Sequence, residues 1–140
     1  MIKKRLLSIC MLFILLLSFS ACKSDMPENK SDDVKVSSAA TTLGEGEKNF
    51  IFTVADADGN KKVFNIFTNK KTVGDALKEH KLIDGEEGQF GLYVKTVNSV
   101  SYDYDKDGKY WAFYIDGEYA PTGVDKTEIK NGCSYMFKAE

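Results

Sequence analysis

The stretch TVGDALKEHKL, residues 72–82, changes the hydrophobic period of the chain. Thr72 is suited to cap a helix, and Asp75 three residues later completes a capping-box pattern. Val73, Ala76, Leu77 and His80 then fall on one face of a short helix. We therefore predict one helix here, between segments that alternate in the manner of strands.

The segments before and after this helix have the alternation of strands. NFIFTVADADGNKKVFNIFTN, residues 49–69, contains two apolar runs around Asp58-Gly59-Asn60 and predicts a β-hairpin. After the helix, GLYVKTVNSVSYDY, YWAFYI and CSYMFKA predict three further strands. The order predicts an α+β domain with a single helix packed on a mixed β-sheet, and we expect a β-grasp-like arrangement.

The N-terminus has the features of an export signal. Lys3, Lys4 and Arg5 precede an apolar run that is shorter than a membrane span of roughly 20 residues. The end of this run, Phe19-Ser20-Ala21-Cys22, resembles the lipobox of bacterial lipoproteins. The resemblance implies cleavage after residue 21 and lipidation of Cys22. The alternative is an ordinary signal peptide followed by a chance cysteine.

These features divide the chain into three parts. We predict a lipoprotein signal peptide over residues 1–21, a flexible, disordered tether over 22–46 and one folded domain over 47–140. Cleavage removes three of the 19 basic residues and leaves 16 against 21 acidic ones, which argues against a nucleic-acid partner. The expected location is extracytoplasmic, on the outer face of the bacterial cell membrane.

An acidic stretch, DYDKDG at residues 103–108, matches the first half of a calcium loop. The bidentate glutamate expected at the twelfth position is replaced by Tyr114, and the flanking segments are strands. We therefore favour a solvated acidic hairpin turn and predict no metal site, with a looser calcium site as the alternative.

Nothing in the sequence has the pattern of a catalytic centre. Cleavage would remove Cys10 and Cys22 would be acylated, so Cys133 is the one cysteine left with a free thiol. His80 is the sole histidine. A Cys133–His80 pair stays open, but no motif supports it, and we expect the protein not to be an enzyme.

The aromatic strand YWAFYI, residues 110–115, sends Trp111 and Phe113 to one face and Tyr110 and Tyr114 to the other. A single helix cannot bury both faces. The second face is either an exposed ligand surface or the floor of a smaller core under residues 84–92 and 118–131.

The order of motifs over residues 48–140 resembles the C-terminal β-domain of transcobalamin and intrinsic factor, and the related bacterial domains of unknown function. The shared motifs are the "TV" helix start at Thr72-Val73, "GxYVxxVNxV" at 91–100, "YW" at 110–111, "DG" at 116–117, "PxGV" at 121–124 and "GxxYxF" at 132–137. The resemblance implies a binding module for a soluble small molecule such as cobalamin, without a resident cofactor.

The same resemblance implies which residues touch the ligand. Carried over to this sequence, they are Leu92, Tyr93, Trp111, Ala120, Pro121 and Thr122. The helical domain that forms the opposite wall in the vitamin carriers has no counterpart in this chain. We expect a membrane transporter or surface protein to work beside the module, and a protein–protein interaction module without a small-molecule ligand is the alternative.

Overall fold

The computed structural model describes residues 39–140. The strands are β1 (Thr41–Leu43), β2 (Lys48–Ala55), β3 (Lys61–Thr68), β4 (Ile83–Gly88), β5 (Gly91–Val97), β6 (Val100–Ser101), β7 (Trp111–Ile115), β8 (Glu118–Tyr119) and β9 (Ser134–Ala139). The helices are α1 (Val73–Glu79) and α2 (Tyr104–Asp107). Neither helix has the length and apolar character needed to cross a bilayer.

Six strands form one mixed sheet in the order β1-β3-β2-β9-β7-β8. The β1–β3 and β2–β9 pairs are parallel, and the other neighbours are antiparallel. The strands β7 and β8 turn through Asp116 and Gly117, both with positive φ. The C-terminal strand β9 therefore lies in the middle of the sheet, which joins the hairpin from the start of the domain to the aromatic strand from its end.

The predicted β2–β3 hairpin is confirmed, and its turn is held by Asp56. The Asp56 carboxylate accepts hydrogen bonds from the backbone N–H groups of Asp58 and Asn60 at 3.0 and 2.9 Å, and Gly59 adopts φ 83°. Burial acts to raise the pKa of Asp56, but its hydrogen bonds with Asn60, Asp58 and Gly59 outweigh that effect and lower the pKa below 3.8.

The helix predicted over residues 72–82 is also confirmed. Thr72 is its N-cap, and the Thr72 side chain accepts a hydrogen bond of 3.2 Å from the backbone N–H of Asp75. Val73, Ala76 and Leu77 are fully buried against the sheet. The face predicted from the spacing is therefore the face that packs, with the terminal His80 half-buried.

Three strands form a second, antiparallel sheet in the order β4-β5-β6, which corrects the prediction of a single mixed sheet. The segment GLYVKTVNSVSYDY, predicted as one strand, turns at Asn98 and Ser99, with φ 47° and 68°, between β5 and β6. The β4–β5 ladder continues through a register shift between Asp84 and Gly85. Alternation within a strand does not show whether neighbouring hairpins join one sheet, so the sequence did not reveal that β4, β5 and β6 form their own.

The core lies between one face of the six-stranded sheet and a layer formed by α1 and the small sheet. Its members include Phe52, Ile66, Val97, Tyr135 and Phe137. The opposite face of the six-stranded sheet is only partly covered by the described residues, and Ile51 on it is exposed. The structure is α+β, as predicted; the β-grasp assignment stays a prediction.

The folded part begins earlier than predicted. β1 lies within the stretch assigned to the tether, and its three residues pair with Phe64–Ile66 of β3. Three residues are too few to show an apolar period. β1 is instead held by backbone hydrogen bonds to β3. The predicted signal peptide, the lipidation of Cys22 and the tether up to residue 38 lie outside the described residues.

Candidate functional site

A groove of about 770 Å³ opens between the small sheet and the end of the large one. Three segments form it: the β4–β5 turn with the start of β5, the strand β7 with its preceding residue, and the loop after β8. One floor residue comes from β9. The lining residues are Gly88, Gln89, Phe90, Gly91, Leu92, Tyr93, Val94, Tyr110, Trp111, Phe113, Tyr119, Ala120, Pro121, Thr122, Gly123, Val124, Lys126 and Phe137.

The floor of the groove is a continuation of the hydrophobic core. Val94, Phe113 and Phe137 line it and are buried core members. Trp111 is 6 % exposed, and its Nε1–H donates a hydrogen bond of 3.2 Å to the carbonyl oxygen of Val100. The ring of Tyr102 packs against the indole at a centroid distance of 5.0 Å. Contacts within the protein therefore hold the floor residues in place, without a contribution from a ligand.

Three lining residues have exposed aromatic side chains, of which Tyr119 packs on Tyr114, on the sheet face opposite Trp111 and Phe113. Phe90 is 82 % exposed, Tyr119 62 % and Tyr93 45 %. Only two further large hydrophobic side chains among residues 39–140, Ile51 and Tyr104, reach similar exposure. Tyr93 alternates with the floor residue Val94 along β5, so Phe90 is the exposed aromatic side chain at the rim, where it offers contact area at a small cost in rotamer entropy.

The groove contains little charge. Lys126 is the one charged residue in the described lining, and its Nζ donates a hydrogen bond of 3.1 Å to the carbonyl oxygen of Phe90. Lys95 lies over the Tyr93 ring, 5.9 Å from its centroid. A hydrogen bond of 2.9 Å to Glu86 raises the pKa of Lys95 and keeps it cationic. The site therefore offers an almost neutral, apolar surface.

Gly91 allows the β4–β5 turn to approach the loop after β8, and Gly123 makes room for Asp125 within that loop. A Cβ atom at Gly91 or at Gly123 would lie 2.7 Å from an oxygen of the Asp125 carboxylate. Gly91 also has φ 113°, a conformation that L-residues rarely adopt. The β4–β5 turn and the loop after β8 thus meet where Gly91 leaves room for the Asp125 carboxylate.

The structure brings together all six residues that the resemblance implied for ligand contact. Leu92 and Tyr93 lie on β5, Trp111 begins β7, and Ala120, Pro121 and Thr122 form the loop after β8; all line the one groove. Their role in binding stays a prediction. Trp111 offers only a small exposed surface, so its contribution to the site is chiefly as floor.

Sequence reasoning missed Phe90, Tyr119 and Lys126. Phe90 lies in the turn GQFG at residues 88–91, where an aromatic between two glycines has no packing partner nearby in sequence. That isolation is the signal that could have identified it, since an aromatic in a tight turn is exposed unless something distant covers it. Lys126 contacts Phe90 across 36 positions, which no local pattern reveals.

The acidic stretch forms a single helical turn, α2, and not the predicted hairpin turn. Asp103 caps it by accepting a hydrogen bond from the Asp105 N–H, and Asp107 Oδ2 accepts one of 2.8 Å from the Asp103 N–H. The stretch links β6 to β7, strands of different sheets, so no hairpin is formed. Within residues 39–140, no three His, Cys, Asp or Glu side chains are grouped to hold a metal ion.

Cys133 and His80 are not joined by any hydrogen bond in the described part of the chain. Burial raises the pKa of the Cys133 thiol, and the negative charge of Asp116 adds to the increase, so the thiol stays protonated near neutral pH. His80 ends α1 and lies beside Gly44. The structure adds nothing in favour of the pair considered from the sequence.

Solved structures and a protein family are similar to this chain, whereas no curated protein matches it. A protein from Ruminococcus gnavus ATCC 29149, provisionally described as metal-binding, is 31% identical, with a TM-score of 0.64 over 67% of this chain and 97% of that one. Haptocorrin, solved in complex with Cbi, is 18% identical, with a TM-score of 0.54 over 66% of this chain and 25% of that one.

The likeness to haptocorrin, of which this chain spans about a quarter, concerns the fold alone and confirms that the fold is transcobalamin-like. The family match covers residues 70–140, half of the chain, from just before α1 to the end of β9. It includes every element that lines the groove. This chain belongs to the family described as Domain of unknown function (DUF4430).

Proposed function

We propose that this protein is a non-enzymatic binding module that captures a soluble small molecule, a cobalamin or similar corrinoid, in the groove. The observation that carries the proposal is the convergence of three chain segments on one apolar groove with the exposed side chain of Phe90 at its rim. Ligand pockets typically enclose about 300–1,000 Å³ and are lined mainly by apolar and aromatic groups. The groove has both properties.

The choice of ligand rests on two further points. The resemblance over residues 48–140 is to the β-domain of vitamin carriers, and haptocorrin, which shares the fold, was solved in complex with Cbi. The groove is open on one side, so it would contact one face of a large ligand. A partner that covers the other face is therefore part of the proposal.

The sequence before the fold supports capture at a membrane. Phe19-Ser20-Ala21-Cys22 would direct lipidation of Cys22 and hold the domain on the outer face of the cell membrane through the following segment. Confinement there raises the effective concentration of bound ligand beside a transporter. Replacement Cys22→Ser should release the protein from the membrane fraction, and equal retention of the variant would contradict the anchor.

The binding proposal is tested by titrating cyanocobalamin into the protein without residues 1–22. We expect saturable binding, and a rise in the melting temperature as the ligand stabilises the folded state. Ligand at one hundred times its dissociation constant adds about 2.7 kcal/mol to the free energy of unfolding, which is readily measured for a domain of this size. No binding at millimolar cobalamin would refute a free-standing corrinoid receptor.

The partly covered face of the six-stranded sheet supports a second function, protein–protein interaction without a small molecule. Ile51 is exposed there, beside a shallow depression of about 330 Å³ that also borders Phe67. Photocrosslinkers placed at Ile51 and at Phe90 distinguish the two functions in cells. Protein adducts at Ile51 together with no cobalamin binding would favour this second function.

A further inference from the structure

The part of the groove lining that the structure describes contains one cationic side chain, Lys126, and no carboxylate. Its floor is apolar, with Val94, Phe113 and Phe137 among the buried core residues that form it. A ligand on this floor therefore meets a single ammonium group at the edge of an apolar surface.

The ammonium group of Lys126 is held in position while its charge is left uncompensated. Its Nζ donates one hydrogen bond of 3.1 Å to the carbonyl oxygen of Phe90. An ammonium group has three N–H donors, so two remain for another acceptor. The carbonyl is neutral, and no carboxylate oxygen of residues 39–140 lies within 4.0 Å of Lys126 Nζ. An anionic acceptor would therefore gain a charge-assisted hydrogen bond here.

The other cations beside the β4–β5 hairpin already have anionic partners. Lys95 donates a hydrogen bond of 2.9 Å to the carboxylate of Glu86. Lys78 lies 3.2 Å from a carboxylate oxygen of Glu87. An anionic ligand group would have to compete with these carboxylates, whereas at Lys126 it would not.

Asp125, the neighbour of Lys126 in sequence, does not neutralise the ammonium by direct contact. Its carboxylate fits against Gly91 and Gly123, where an added Cβ atom would lie 2.7 Å from one of its oxygens. Its Oδ1 is buried and accepts no hydrogen bond from the described residues. At longer range this negative charge weakens the field of the ammonium, so the selectivity that Lys126 can provide is modest.

We infer that Lys126 determines the specificity of the groove by selecting a corrinoid that carries a phosphodiester. The inference rests on the proposed function and adds the charge of the ligand. The side chains around the ring of a cobalamin end in neutral amides, and the phosphodiester is its anionic group. A phosphate oxygen would accept a hydrogen bond from Lys126, while the less polar part of the ligand covers the floor. An exposed ion pair of this kind changes affinity by up to about fivefold.

The test compares two corrinoids on the protein without residues 1–22. Cyanocobalamin carries the phosphodiester, and dicyanocobinamide lacks it. The ratio of the two affinities is measured for each variant, because a general loosening of the groove weakens both ligands and cancels in the ratio. Lys126→Gln and Lys126→Met should lower the preference for cyanocobalamin by about three- to fivefold, and Lys126→Arg should preserve it. Lys61→Gln, at an exposed position outside the lining, is the matched control and should leave the ratio unchanged.

Ionic strength provides a second readout that a purely structural role of Lys126 would not change. Salt screens an exposed ion pair, so the wild-type ratio should fall as sodium chloride is raised from about 20 mM to about 500 mM. The ratio for Lys126→Gln should stay constant over the same range. Corrinoid binding with equal ratios in wild type and Lys126→Gln, or with a wild-type ratio independent of salt, would overturn the inference and leave the proposed function standing.

A second pair of probes applies if neither corrinoid binds, a result that refutes the proposed ligand. Anilinonaphthalene sulfonate is then compared with phenylnaphthylamine, which has the same aromatic body without the sulfonate. A preference for the sulfonate that is lost in Lys126→Gln and kept in Lys126→Arg would support the selection of anions by Lys126, with a ligand other than a corrinoid. The same preference in wild type and Lys126→Gln, or no binding of either probe, would overturn the inference.

Discussion

Lys126 Nζ donates a hydrogen bond of 3.1 Å to the carbonyl oxygen of Phe90 and so joins the β4–β5 turn to the loop after β8. The adjacent Asp125 carboxylate fits against Gly91 of the same turn. Two consecutive loop residues thus fix the position of the most exposed aromatic side chain on the groove rim. The turn has no other side-chain hydrogen bond to that loop in the described structure.

Replacement Lys126→Met should loosen this turn without unfolding the domain. The variant keeps most of the aliphatic stem and loses one hydrogen bond, which is worth about 1 kcal/mol. Hydrogen exchange at residues 89–91 should become faster, while exchange in β2 and β9 stays unchanged. Lys61→Met, at an exposed position far from the groove in the sheet order, is the control, and equal exchange in both variants would contradict the joining role.

Phe90→Ser should weaken ligand binding and leave stability unchanged. The side chain is 82 % exposed, so its removal costs the folded state little, whereas a ligand on the rim would lose an aromatic contact. We expect about a tenfold loss of cyanocobalamin affinity with less than about 0.5 kcal/mol change in the free energy of unfolding. Tyr104→Ser is the matched control, because Tyr104 is 61 % exposed and lies outside the groove. A similar loss in both variants would refute the rim assignment.

Trp111→Phe should destabilise the domain. The change removes the hydrogen bond to Val100 and leaves space beside Tyr102, which together cost about 1 to 3 kcal/mol. Urea denaturation measures the effect, with Tyr104→Phe as an exposed control. An unchanged midpoint would show that the indole N–H is not needed. Ligand affinities of Trp111 variants must therefore be measured where the variant is still folded.

Protonation of Asp56 should lower the free energy of unfolding of the domain in acid. Its pKa is lower in the folded than in the unfolded state, so its contribution is present above pH 3.8 and is lost as the pH falls below that value. Asp56→Asn removes the titration, and the stability gap between wild type and variant should narrow on acidification. The Asp58 carboxylate accepts no hydrogen bond from residues 39–140. Asp58→Asn should therefore lower the free energy of unfolding at neutral pH by less than Asp56→Asn does.

Chelation should leave the melting temperature unchanged. The carboxylates of Asp103 and Asp107 already accept hydrogen bonds from the backbone N–H groups of Asp105 and Asp103, and Lys95 and Lys106 lie within 4.0 Å of Asp103. Calcium would have to displace these partners. Thermal denaturation with EDTA and with excess calcium measures this. A rise of several degrees with calcium would show that the stretch rearranges into a metal site.

Local signals predicted the elements that depend on neighbours in sequence. The Thr72 cap, the apolar face of α1 and the turn at Asp58-Gly59-Asn60 each depend on residues within four positions of one another. The division into two sheets was not predictable in this way, because β9 joins β2 across more than 80 positions. Which strands pair at that distance is decided by packing and not by period.

The residues of the candidate site were likewise predictable only in part. Leu92, Trp111 and Pro121 were placed in one site through the resemblance, since no spacing rule brings them together. Phe90 and Lys126 were missed because their contact joins two loops. Loop-to-loop contacts depend on glycine conformations such as that of Gly91, which become visible only in the folded chain.

The order of strands in the large sheet sets the distance between the groove and the first described strand. The chain enters the fold at β1, one outer strand, and the groove lies at the other end of the sheet, beside β7 and β8. Five strand intervals of about 4.8 Å separate these ends by roughly 24 Å. The groove thus lies at the opposite end of the sheet from β1, roughly 24 Å from the strand at which the described chain begins.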